Sequence, residues 1–124
     1  MKYLILIYSN PASREMWASF SPEEQAEGYR IHAAMRDGLI ASGELIASEA
    51  LADAAQAKRL SVRAGQPVTS DGPFAEAKEA LAGFYLVECD SIERAVEIAQ
   101  SVPEAAVVNI EVWPSLDPAI TGYQ

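Results

Sequence analysis

The sequence predicts an α+β fold of ferredoxin-like plan, an antiparallel sheet with two helices on one face, and three observations lead there. The apolar spacing switches along the chain in the order strand, helix, strand, strand, strand, helix, strand. Both helices open on a capping signature. The strands at 2–8 and 82–89 are apolar on both alternating faces, so two helices on a single face would leave half of that apolar surface uncovered.

The first strand, KYLILIY, sets Tyr3, Ile5 and Ile7 on one side and Leu4, Leu6 and Tyr8 on the other. SNPASREMW then reads as a loop, since Asn-Pro and the small residues around it are turn formers. Ser21-Pro22-Glu23-Glu24 supplies a cap, a proline suited to the first helical position and an acid to close a capping box. That predicts a helix over 22–42, stopped by Gly43 in the left-handed conformation, with an inward stripe of Gly28, Ile31, His32, Met35, Leu39 and Ser42. ELIASEAL (44–51) and AKRLSVRA (57–64) read as strands around ADAAQ, an alanine-rich stretch also compatible with a helix. Gly65-Gln66-Pro67 is a turn signal, and 68–70 a short extension before Asp71-Gly72-Pro73.

AGFYLVEC (82–89) is the clearest later strand. Asp90 then caps a second helix, with Glu93 closing its box. Ile92, Ala95, Val96, Ala99 and Val102 form its buried face, and Pro103 ends it. VVNIEVW (107–113) is the last strand, and the prolines and glycine of 114–124 make a tail to a single domain spanning 1–124. The uncovered apolar sheet face is most simply covered by a second copy of the same sheet, which predicts a homodimer.

At 124 residues the chain is long enough to bury roughly two thirds of the surface its unfolded form exposes, and half of its residues are hydrophobic. Eighteen acidic against nine basic residues give a net charge of −9, which disfavours direct nucleic-acid binding and anionic membranes. KYLILIY is too short to span a bilayer and lacks a leader's cleavage pattern, so a cytoplasmic location is expected. The single cysteine, Cys89, lies in a strand and has no internal disulfide partner, which fits a buried thiol without a chemical role. One His and one Cys, far apart, make no metal site, and no cofactor-binding motif is present.

Two positions draw attention for chemistry. His32 is the only imidazole in the chain and so the only side chain that ordinarily titrates near neutral pH. On an apolar stripe it is either a core residue satisfied by one hydrogen bond or a general acid/base, and the second role needs a carboxylate to orient its ring. Asp71 is the candidate carboxylate, presented by a loop in which Gly72 allows a backbone conformation closed to other residues and Pro73 stiffens the exit; its plainer role is to bond its own backbone as a turn residue. Glu76, Lys78 and Glu79 read as a solvated face of a short helical turn, with Lys78 an alternative anion ligand. Tyr8 and Arg63 are further candidate lining residues of a small-molecule site, or structural groups.

MKYLILIY, IHAAMRDGLIASGEL, VTSDGPFAEAKEALAGFYLVE and IEVWPS together resemble the YCII-related proteins, specifically their DGPF branch, over nearly the whole chain. The resemblance implies the dimeric α+β barrel fold. It also implies that His32 and Asp71 match positions proposed as a catalytic pair, with Gly72, Pro73 and Phe74 beside them in the site. Relatives in the wider superfamily are similar to muconolactone isomerases, which implies isomerase- or lyase-like chemistry on a small organic substrate. DGPF proteins are also linked by gene neighbourhood to extracytoplasmic-function sigma factors, which implies the alternative of a non-enzymatic sensor or regulatory partner. Trp113 stands where such relatives often carry arginine, which weakens any anion-binding role for the last strand.

Overall fold

A computed structural model describes residues 1–74 and 78–122. Its centre is strand β1 (Lys2–Ser9), flanked by β5 (Ala80–Glu88) and β6 (Ile110–Pro114), with β2 (Leu45–Ala50) outside β5. All three pairings are antiparallel, giving the order β2-β5-β1-β6 of a ferredoxin-like α+β sheet. Helices α2 (Pro22–Ala41) and α3 (Ile92–Ala99) cover one face. There Tyr3, Ile5 and Ile7 of β1 and Tyr85 and Val87 of β5 are buried with Leu39, Ala95, Ile98 and Ala99. Ile5 and Val87 are wholly inaccessible and mark the centre of the core.

The capping box of α2 forms as expected, with Ser21 accepting from the Glu24 amide and Glu24 from that of Ser21. Gly43, at φ +77°, takes the left-handed turn that ends it. His32, Met35 and Leu39 face inward, whereas Ile31 is exposed. Helix α3 departs in two ways: its cap is Ser91, not Asp90, and Ile98 replaces Ile92 and Val96 on the buried face. Ala95, Ile98, Ala99 and Val102 follow the i, i+3, i+4, i+7 spacing of one stripe, which leaves Ile92 and Val96 at its margins. The helix ends at Ala99, and Pro103 instead opens a 3-10 turn, Pro103–Ala106, ahead of the last strand.

SNPASREMW is not a loop but helix α1 (Pro11–Ser19). Asn10 and Ser13 form a reciprocal capping box and Pro11 occupies the first turn, so the residues read as a turn are a helix start. Trp17 of α1 packs on Gly28 of α2, where an added Cβ would stand 3.0 Å from the indole ring. The middle of the chain also differs. Strand β3 (Lys58–Arg63) pairs only with β4 (Gln66–Asp71), as a two-stranded ribbon separate from the main sheet. Ala64 and Gly65, at φ 50° and 78°, make its two-residue turn, the backbone hand that matches strand twist. The segment 78–79 is a bend leading into β5, not helical; Glu76 lies outside the described residues. In the tail a short helix, α4 (Pro118–Thr121), follows the Asp117 cap.

On the face away from the helices, Leu4, Leu6 and Tyr8 alternate with the buried set. Register aligns Leu4 with Leu86 and Trp113, and Leu6 with Phe84. Within one chain none of these residues is fully buried, and Trp113 is 55% exposed, so this apolar sheet face is left partly open.

Candidate functional site

His32 is held at both ring nitrogens. Nε2 lies 2.6 and 2.9 Å from the two carboxylate oxygens of Glu104, and Nδ1 lies 2.7 Å from the Tyr85 hydroxyl. Three elements meet here: the middle of α2, the helix-facing side of β5, and the 3-10 turn that begins at Pro103. An ionised carboxylate only accepts, so Nε2 carries a proton and donates it to Glu104. In the neutral ring Nδ1 is then the acceptor and the Tyr85 hydroxyl the donor. The imidazole side chain is 26% exposed and Glu104's 40%, so the group reaches solvent from the helix side.

Burial acts to raise the Glu104 carboxyl, but the hydrogen bond and charge of His32 outweigh it and hold the group below its ordinary value. Burial pushes the Tyr85 phenol up, the Glu104 charge adds to this, and Arg36 opposes it. Tyr85 therefore stays protonated and available as a donor across the neutral range.

Within this chain Asp71 does not meet His32, as the expected pair would have it. Asp71 ends β4 directly opposite Lys58, and its carboxylate accepts from Lys58 Nζ at 2.7 Å on the exposed ribbon. The carboxylate on the imidazole is Glu104. Nothing in SVPEAA marks that acid at the level of sequence, because it comes from a turn read as the helix's end. Tyr85 left a fainter signal. A tyrosine on the buried side of an alternating strand needs a partner for its hydroxyl, and His32 was the polar group on the inward stripe facing it.

Gly72 serves a different purpose from the one expected. Its φ is not in the left-handed range. Its amide instead donates to the Ala57 carbonyl at 2.8 Å, and an added Cβ would stand 2.1 Å from the Ala54 carbonyl oxygen. The glycine thus lets two backbone segments touch. The Gly72–Pro73 peptide is cis. Pro73 and Phe74 line a cleft of about 500 Å³ with Arg14, Asp53, Glu79 and Leu81 among its other walls, and the Arg59 guanidinium sits 3.9 Å from the centre of the Phe74 ring. Arg14 carries no signal in the sequence, because the Asn-Pro and small residues around it favour a loop.

The remaining candidate residues lie outside this cleft. Tyr8 donates to Glu111 at 3.0 Å, and Trp113 donates its indole N–H to the same carboxylate oxygen. Burial, then the bond to Glu111 and the charges of Glu111 and Glu79, push the Tyr8 phenol up. Arg63 is exposed at the tip of the ribbon, and Lys78 is exposed in the bend before β5. Cys89 is buried, its thiol pushed up chiefly by that burial. Among the described residues no group of His, Cys, Asp and Glu could hold a metal ion, and no helix is long and apolar enough to cross a membrane.

Residues 1–114 match the model of the YCII-related domain. A protein of Rhizobium meliloti (strain 1021), described as uncharacterized, is 33% identical over 105 residues, covering 85% of this chain and 82% of its own. With the family model matching most of the chain and the sheet order in agreement with an α+β plan, this chain belongs to the YCII-related family.

Proposed function

We propose that this protein, of the DGPF branch, is a cytoplasmic small-molecule enzyme in which His32 moves a proton in isomerase- or lyase-like chemistry. The observation that carries the reading is the chain Tyr85–His32–Glu104. Glu104 fixes the tautomer, so that the Nδ1 lone pair is the one available to a substrate proton, and its charge stabilises the imidazolium once that proton arrives. Tyr85 donates to Nδ1 from the buried side of β5, so the proton transfer requires this hydrogen bond to open, after which the phenol O–H can serve a developing oxyanion. Asp71, on the ribbon, plays no part in this step in the chain that carries it. Two copies joined through the open sheet face form the working unit.

The reading is tested by incubating the full chain with a metabolite extract and following compounds lost and gained by mass spectrometry. A turnover that disappears in His32→Ala, falls about 100-fold or more in Glu104→Gln and persists in Asp71→Asn supports it. A turnover that His32→Ala leaves intact overturns it.

A further inference from the structure

The cleft beside Pro73 and Phe74 is lined by charges of both signs that do not neutralise one another. Arg14 is half-buried and donates from Nη1 to the Ser9 hydroxyl at 3.1 Å, and it makes no ion pair with any described residue. A guanidinium carries five N–H donors, so most of Arg14's remain for a ligand. Asp53 and Glu79 line the same cleft, and neither meets a cation among the described residues: Asp53 accepts from the Ala55 amide and Glu79 from the Asn109 side chain. The rest of the wall is largely apolar, with Leu51, Phe74 and Leu81 its largest side chains. At about 500 Å³ the space falls within the range of small-molecule sites.

We propose that this cleft binds a small zwitterion with an apolar body, of the amino-acid class. Its carboxylate pairs with the Arg14 guanidinium, its ammonium lies toward Glu79 and Asp53, and its side chain packs on Leu51, Phe74 and Leu81. A simple anion would gain Arg14 but face two carboxylates; a simple cation would gain the carboxylates but face Arg14. Only a ligand bearing both charges meets every wall with its complement. The inference does not depend on His32, which lies outside the cleft.

The test is an NMR titration of the full chain with L-leucine and L-phenylalanine up to about 10 mM, a range that detects millimolar binding. Each is set against its skeleton without the ammonium (isocaproate, 3-phenylpropionate) and without the carboxylate (isoamylamine, phenethylamine). At least one zwitterion is expected to shift the amides of 51–57 and 79–81 saturably, and to bind about tenfold or more tighter than both of its partial analogues. Arg14→Gln, which keeps a donor for Ser9, should abolish that preference, and Glu79→Gln should weaken the zwitterion while leaving the anion unchanged or tighter. The proposal is overturned if neither zwitterion gives a saturable shift, or if the anions bind the parent as tightly. The comparison of analogues on the parent protein decides the matter even if a variant folds poorly.

Discussion

Among individual residues, ion pairs set the acid response. Arg94 donates to both carboxylate oxygens of Glu44, at 2.9 and 2.8 Å, joining α3 to the residue just before β2. The hydrogen bond from Arg94, then that from Ser42, lowers the Glu44 carboxyl from 4.5 to about 2. Because the folded value lies below the unfolded one, the pair's contribution to stability is complete above the ordinary carboxylate range and is lost as pH falls through it toward about 2. Urea unfolding at neutral pH and near pH 2 should therefore show a loss of stability on acidification that shrinks in Glu44→Gln. An equal acid loss in parent and variant would count against the pair. Glu104 behaves in the same sense, since its carboxyl is also held low.

Among the elements, glycine positions separate close contact from mere flexibility. Gly72→Ala would drive a Cβ to 2.1 Å from the Ala54 carbonyl oxygen, which backbone must move to relieve. We expect a loss of about 1–3 kcal/mol in chemical denaturation, together with disturbed amide shifts on both ribbon strands. Gly38, inside α2 with nothing within 4 Å of an added Cβ, is the contrasting case. Gly38→Ala should stabilise by about 0.5–1 kcal/mol, through helix propensity alone. The same elements show what could be read from sequence. The Ser21 box, Gly43 and the two-sided apolar strands each act through near neighbours in the chain, so their signatures are local and legible. Helix α1 was hidden because Asn-Pro serves a helix start and a turn equally well. The pairing of β3 with β4 instead of β2 depends on register and twist, to which propensity is blind.

For the molecule as a whole, the sheet has one face filled by helices and one that is apolar and open, and the proposed dimer covers the second. Phe84→Asp places a charge in the middle of that face while leaving the helix-side core untouched. Light scattering coupled to size exclusion should show about twice the chain mass for the parent and a single-chain mass for this variant. A parent that runs as a monomer at every concentration would remove the dimer from the account. The candidate site shows the same division between local and distant information. His32 stood out as a solitary imidazole on an inward stripe, but its carboxylate arrives from residue 104, far along the chain and brought near only by the packing of the final turn against α2. Asp71 looked the better partner because its setting was rich in turn chemistry. That chemistry serves the ribbon and the cleft instead. The most direct test of the Glu104–His32 assignment is a carbon-13 NMR titration of the side-chain carboxyls in the parent and in His32→Ala. Glu104 should titrate below the ordinary glutamate range in the parent and move upward once the imidazole is gone. A Glu104 indifferent to the substitution would contradict the assignment.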